Sequence, residues 1–323
     1  MTKNAHPAAL ITGCNGFVGA WLIKLLHAKG FTVHGIDIQP KPSSPDISYH
    51  PINLLDSAAV SRLVTDLVPG MIFNLAAVSF LPDTARSPRK SIECNLSGAM
   101  VLLDAVKNCS PSSRLLLVGS SKEYGGSICS DNVGEDVTPQ PADFYGISKY
   151  ACELTGLQYA RQFGIDVRCV RSFNHTGPGQ SQRFVCSDWA RQAAAIALGE
   201  AEPVITVGDI DLTIDFSDVR DVVEAYLLVL EKGACGEVYN VCSGSGVELS
   251  WILGYLADKS SGPVTVKHLN DKKRANKSSV RLIGNHDKLT LHTGWKPAIT
   301  LEQTLDELFE WWLRSLSAQE KQA

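Results

Sequence analysis

The sequence lacks the features that would direct it to a membrane, to nucleic acid or into an oxidising compartment. No uninterrupted apolar run in its 323 residues reaches membrane-spanning length. Met1 to Pro7 lack the apolar core of a secretory leader. Neither charge sign is in excess: 30 Lys and Arg against 34 Asp and Glu give a formal net charge of −4. That leaves no electrostatic footprint for DNA or RNA. No Cys-x-x-Cys pair occurs, and the nine cysteines are scattered and odd in number. This argues against a disulfide framework and a zinc cluster, and for reduced thiols in a cytoplasm; no metal site is expected. There is no internal repeat and no low-complexity tract. What remains, with 44% hydrophobic residues, is a globular chain able to build one large domain or two closely joined lobes.

The chain is organised around Thr12-Gly13-Cys14-Asn15-Gly16-Phe17-Val18-Gly19. A short apolar strand, Ala8 to Ile11, precedes it, and an apolar helical pattern, Phe17 to Lys29, follows, with Gly30 placed to end that helix. Strand, glycine turn and helix N-terminus make an anion site, because bare N–H groups and the positive helix end face the turn. A second strand, Phe31 to Ile36, ends in Asp37, whose carboxylate suits the hydroxyls of an adenosine ribose. A dinucleotide is therefore expected on Gly13, Asn15, Gly16, Phe17, Val18, Gly19 and Asp37. A plain structural βα turn would leave these glycines unexplained.

Strands and helices alternate through the first half. Helices are predicted at Ser57–Val68, with Asp56 as N-cap, at Ser91–Asn108 and at Tyr145–Phe163; strands at Met71–Leu75, Arg114–Gly119 and Asp166–Arg171. The pattern predicts a doubly wound parallel α/β sheet, with ligands beyond the carboxyl ends of its strands. The second half is less regular. Helices are predicted at Phe184–Leu198, Val219–Glu231, Trp251–Ala257 and Leu301–Leu316, and strands at Val204–Val207, Glu237–Val241 and Val264–Lys267. The expected division is residues 1–173 with 216–241 for the dinucleotide, and 174–215 with 242–323 as a smaller substrate-binding lobe.

Tyr145 and Lys149 stand four apart on a helix, so both project from one face. A phenol is a poor base at neutral pH, and a neighbouring ammonium favours its ionised form. Gly119-Ser120-Ser121-Lys122-Glu123-Tyr124-Gly125 begins where the Arg114–Gly119 strand ends. A serine here can hydrogen-bond the oxygen that gains or loses a proton; Ser121 is the first choice and Ser120 the alternative.

The Gly-x-x-Gly-x-x-Gly spacing followed by Ser-Ser and Tyr-x-x-x-Lys resembles the extended short-chain dehydrogenase/reductase family, also called the NAD-dependent epimerase/dehydratase family. Arg171-Ser172-Phe173-Asn174-His175-Thr176-Gly177-Pro178-Gly179-Gln180 resembles the matching stretch of GDP-4-keto-6-deoxymannose reductases and GDP-mannose 4,6-dehydratases. Val207-Gly208-Asp209, Asp215 to Val222, Tyr239 to Gly244 and Thr293 to Pro297 continue the likeness over nearly the whole chain. The resemblance implies a Rossmann fold and an enzyme that moves hydride between a nicotinamide and a sugar carbon. In it Tyr145 exchanges the proton, Lys149 tunes it and binds the nicotinamide ribose, and Ser121 aligns the sugar oxygen. Glu123, at Thr-x-Glu spacing in Ser121-Lys122-Glu123, matches the glutamate that moves a proton at the sugar in dehydratases. Asn53 and Leu54 match the adenine-contacting segment, and Leu75, Ala76 and Ala77 the small residues under the cofactor. Ser120, Asn174, Arg183 and Arg274 are implied at the substrate, and Phe173 beside the nicotinamide. Ile214 replaces an arginine that clamps the nucleotide diphosphate in relatives; the Lys272–Lys277 cluster is either a substitute grip or a solvated basic loop. Asp37 favours NAD, with NADP as the alternative, since its charge repels a 2′-phosphate. The implied function is net reduction of a 4-keto-6-deoxy sugar nucleotide. The alternatives are an NAD-recycling dehydratase or epimerase, and a cofactor-sensing protein without turnover. A homodimer through Ser91–Asn108 and Tyr150–Phe163 is the implied assembly.

Overall fold

A computed structural model describes residues 7–125, 130–269 and 281–320. The first βα units are β1 (Ala8–Thr12), α1 (Phe17–Ala28), β2 (Thr32–Asp37), β3 (Ser48–Pro51), α2 (Ser57–Leu67) and β4 (Met71–Asn74). Short helices α3 (Leu81–Arg86) and α4 (Pro88–Ile92) run through a π-helical turn, Glu93–Ser97, into α5 (Gly98–Cys109). Then come β5 (Arg114–Val118), β6 (Ser130–Val133), α6 (Phe144–Phe163), β7 (Asp166–Ser172) and β8 (Asn174–Thr176). The remainder is α7 (Val185–Ala197), β9 (Val204–Val207), β10 (Thr213–Asp218), α8 (Val219–Lys232), β11 (Val238–Val241), β12 (Gly246–Glu248), α9 (Leu249–Ala257), β13 (Thr265–His268), β14 (Arg281–Gly284), α10 (Asp287–Thr293) and α11 (Leu301–Glu320).

Seven parallel strands form the main sheet in the order β11-β7-β5-β4-β1-β2-β3. Strands β1, β4, β5 and β7 are buried along most of their length, as strands covered on both faces must be. Apolar side chains of α1 and α8 fill one face with Leu22, Leu26, Val222 and Tyr226. Those of α2, α5 and α6 fill the other with Val60, Val64, Leu102 and Cys152. The chain winds outward from β1 through β2 to β3, then returns to β4 on the other side of β1. That reversal opens a crevice at the carboxyl ends of β1 and β4, where doubly wound sheets bind ligands.

A second sheet, β12-β10-β14-β6 with β8 beside β10, and a two-stranded β9-β13 pair lie with α7, α9 and α11 around a separate core of Trp189, Ile252, Leu305 and Leu308. Strand β6 lies within 1–173 in sequence yet pairs with β14 in this second sheet. The carboxylates of the Asp215–Asp221 stretch fasten these parts. Asp215, fully buried, accepts from Ser243 N and Oγ at 2.8 and 2.6 Å and from Gly284 N at 3.1 Å. Asp218 caps α8 through Arg220 N, and Asp221 accepts from Ala298 N and Ile299 N. In the middle of α11, Trp312 packs against this second core, and its Nε1 donates to Ser187 Oγ at 3.0 Å.

Candidate active site

A cavity of about 790 Å³ opens over the carboxyl ends of β1, β4, β5 and β7. Gly13, Gly16, Phe17, Val18, Gly19, Asp37, Asn53, Leu54, Leu75, Ala76, Ala77, Ser120, Ser121, Tyr145, Lys149, Asn174 and Arg183 all line it. The sequence scatters these residues from Gly13 to Arg183; the strand order brings them to one crevice.

At the β1 end the backbone makes a cradle. Gly13 holds φ +68°, and a Cβ there would stand 2.9 Å from the Ala76 backbone; both facts demand glycine. Helix α1 opens on Gly16 with no side-chain cap and no acidic residue in its first turn. Its first N–H groups thus face the cavity with the positive end of the helix, which fits a pyrophosphate. Asp37 stands at the edge of the cradle. Its Oδ2 accepts from Asn15 N at 3.1 Å and its Oδ1 from Gln39 N at 3.2 Å, fixing the carboxylate with acceptor capacity to spare for ribose hydroxyls. Asn15 departs from the expected role. It does not line the cavity: its N–H is taken by Asp37, and its side chain donates to the Lys41 carbonyl and Tyr49 Oη at 3.0 and 3.3 Å. It braces the turn from behind. Cys14, fully buried, has its thiol pushed up to about 12 by burial and by Asp37, so it is a packing residue rather than a reactive one.

At the β5 end, Asp143 caps α6 by accepting from Gly146 N at 2.8 Å, and Tyr145 and Lys149 project into the cavity. Lys149 Nζ donates to the Val118 carbonyl at 2.7 Å and lies 5.9 Å from the Tyr145 ring centre. Asn95, in the π-helical turn, accepts from Val78 N at 2.7 Å and donates to Ser148 Oγ at 2.9 Å, tying the loop after β4 to α6. Of the two serines, Ser120 is the one whose hydroxyl acts on the Tyr145 phenol, favouring its ionised form. Ser121 lines the cavity as well but has no such effect on the phenol, which sets Ser120 ahead in the choice between the adjacent serines. The reason is local: Ser120 caps a 3₁₀ turn, Ser121–Glu123, which aims successive side chains in different directions. The expected depression of the phenol is also corrected. Burial, then the nearby Tyr226 and Glu123, hold it well above its ordinary value, with Ser120 opposing. Burial likewise draws the Lys149 ammonium down.

Glu123 is the largest departure. It is fully buried beneath the turn, outside the cavity, with Oε1 accepting from Ser120 N at 2.7 Å. From there it cannot reach a sugar. The residue two beyond Ser120 that does line the cavity is Lys122. Asn174 is exposed at the rim, while Phe173 is buried in the lining. Arg183 meets Asp83 at 2.6 Å and lies 3.8 Å over the Phe80 ring. Arg274 and the Lys272–Lys277 cluster fall outside the described residues. Residues of the site that the sequence did not single out are Lys122, Phe80, Ser172 and Tyr226; the last two share a 2.6 Å hydrogen bond in the cavity wall. Lys122 and Ser172 lie inside stretches that carry the resemblance, whereas Phe80 and Tyr226 sit in no recognisable spacing.

The GDP-mannose 4,6 dehydratase family profile matches residues 10–308. The chain belongs to that family. Within it, the chain is 35% identical over 304 residues to the GDP-6-deoxy-D-mannose reductase of Pseudomonas aeruginosa, covering 94% of this chain and 96% of that protein. It is 25% identical to the GDP-mannose 4,6-dehydratase of Yersinia enterocolitica, covering 93% and 92%. The structure of RMD from Pseudomonas aeruginosa complexed with NADPH superposes with a TM-score of 0.83 at 33% identity, covering 96% of this chain and 99% of that one. Membership of the family agrees with the resemblance carried by the Gly13–Gly19 and Arg171–Gln180 stretches. Among the described residues no helix is long and apolar enough to cross a membrane.

Proposed function

We propose that this protein is an NAD(P)-dependent oxidoreductase that reduces the keto group of a 4-keto-6-deoxy sugar nucleotide, with GDP as the nucleotide. The observation that carries the reading is the cavity's charge inventory. Among its described lining residues Asp37 is the only carboxylate, and it stands at the ribose end. With Glu123 sealed away, the β5 end offers a phenol, two serines and two lysines, a set suited to donating a proton and not to abstracting one from carbon. The resemblance to GDP-6-deoxy-D-mannose reductase supports the same choice.

The residues present fit a nicotinamide dinucleotide: the Gly13 cradle would hold the pyrophosphate, Asp37 the ribose, and Asn53 and Leu54, which also line the cavity, the adenine. When bound, that cofactor supplies the hydride. Tyr145, kept protonated by burial, gives its phenolic proton to the carbonyl oxygen as charge develops there. The Ser120 hydroxyl holds the same oxygen, and Lys149 faces the phenolate that remains. Ser121, Asn174 and Arg183 bind the substrate; Arg183 takes the diphosphate by paired N–H bonds. Asp37 favours NAD over NADP. Residues 1–173 with 216–241 bind the dinucleotide, and 174–215 with 242–323 bind substrate, β6 being the strand that crosses between them. The protein works in the cytoplasm as a homodimer. Its α5 and α6 support this, exposing Met100, Ile147, Leu154 and Phe163 at 40, 43, 49 and 44%.

The test is to supply reduced cofactor and GDP-4-keto-6-deoxymannose to the purified protein. One cofactor oxidised per sugar reduced is expected. Conversion of GDP-mannose with no net change in cofactor would replace this reading by the recycling dehydratase, which a carboxylate suited to NAD at Asp37 also favours.

A further inference from the structure

Beneath the Ser120 turn lies a buried ionic cluster that the reaction does not use. Glu123, Glu153 and Arg171 are 0, 3 and 4% exposed. Arg171 grips Glu153 with two bonds, Nε to Oε2 at 2.9 Å and Nη2 to Oε1 at 2.7 Å, and donates to Tyr124 Oη at 2.9 Å. Glu123 is left out of that grip, its Oε2 3.6 Å from Arg171 Nε and without a hydrogen-bond donor. Burial, then the neighbouring Glu153 carboxylate, holds its acid well above the ordinary range. In that neutral form Oε1 accepts from Ser120 N, and the buried Oε2 carries no unpaired charge.

We propose that Glu123 is a positioning residue that locks the Ser120 turn to helix α6, and so fixes the Ser120 hydroxyl against Tyr145. Three contacts carry this. Ser120 N donates to Glu123 Oε1 at 2.7 Å while Ser120 Oγ accepts from Lys122 N at 3.2 Å, closing a capping box. Arg171, with Nε 3.6 Å from Glu123 Oε2, grips Glu153, the far anchor, which stands on α6 two turns beyond Tyr145. Gly119 makes room for the arrangement, since a Cβ there would strike Glu123 Oε1 at 2.3 Å. The inference rests on the reductase reading for its kinetic consequence but not for its geometry.

The decisive variant is Glu123→Gln. Its amide oxygen still accepts from Ser120 N in a side chain of the same shape, so kcat, KM and the pH profile should match the wild type. Glu123→Ala removes the lock, and kcat should fall about a hundredfold at unchanged KM, the scale of a misplaced group near the chemistry. Loss of activity in Glu123→Gln would overturn the proposal in favour of a proton-carrying glutamate. An unchanged kcat in Glu123→Ala would also overturn it. Crystal structures of wild type and Glu123→Ala give the readout independent of activity: Ser120 Oγ should leave Tyr145 in the variant, and an unmoved serine refutes the lock. Failure of the wild type to reduce any keto sugar nucleotide would instead refute the function reading alone. If Glu123→Ala does not fold, Glu123→Gln still decides.

Discussion

Asp37→Asn isolates the charge that chooses between the two nicotinamide cofactors. The carboxylate is fixed by the Asn15 and Gln39 amides at 3.1 and 3.2 Å and faces the cavity. Its repulsion of a 2′-phosphate on the adenosine ribose is taken at a separation of about 4 Å. Two unit charges at that distance repel by about 4 kcal/mol at an effective dielectric of 20, and about 1 kcal/mol in bulk water. Asp37 is half-buried, so the neutral variant should gain about 1.5–3 kcal/mol in favour of NADPH relative to NADH. At 1.4 kcal/mol per decade this is roughly a 10- to 100-fold change in the ratio of kcat/KM values. Part of the change comes from NADH itself, because a charge-assisted bond to the ribose becomes a neutral one. The assay is the initial rate with each cofactor at fixed keto sugar nucleotide. The wild type should prefer NADH. A wild type that prefers NADPH, with a ratio that Asp37→Asn leaves within about threefold, would refute the argument and show that the phosphate lies away from this carboxylate.

Tyr145→Phe removes only the phenolic oxygen, so KM and melting temperature should hold while kcat falls about 10²- to 10⁴-fold, read by cofactor absorbance. Asp83→Asn frees Arg183 from a partner that competes with the substrate's diphosphate. Both side chains are well exposed, at 35 and 48%, so stability should change by less than about 1 kcal/mol, while the KM for the sugar nucleotide falls about fivefold and kcat holds. His34 and His50 stack with ring centres 5.6 Å apart, Nδ1 to Nε2 at 3.3 Å. Burial, and for His34 also its partner, lower both from the ordinary 6.5. Their contribution is therefore whole above that value and is lost as pH falls through it, because the unfolded chain takes up the protons first. Melting temperature should drop between about pH 7 and pH 5, and His50→Gln should flatten that slope.

The sheet was legible where periodicity is strong. Ala8 to Ile11, Met71 to Phe73 and Leu115 to Val118 are apolar runs of strand length, and Asp56 and the Tyr145 region announce their helices through caps and spacing. Strands β3, β6, β8, β10, β12 and β14 were not foreseen. All but the six-residue β10 have three or four residues, and most pair with partners far away in sequence, as with Ser130 beside Leu282. The π-helical turn at Glu93–Ser97 is hidden in a pattern that reads as one helix. At the site, the residue types were legible but not their directions. Nothing local separates Ser120 from Ser121, or shows that Glu123 turns inward. That orientation is set by Arg171 and Glu153, which reach it only once β7 and α6 have packed.

Strand β11 closes the large sheet beside β7, but between them the chain leaves to build β8, α7, β9, β10 and α8. On a ribosome, the flank of β7 therefore stays open from the emergence of Ser172 until Val238 and its neighbours arrive. An uncovered apolar strand border is a template for pairing with other chains. Truncation anywhere in that interval should give a polypeptide that needs chaperone protection, even though every residue of the glycine cradle and of the Tyr145–Lys149 pair has already been made.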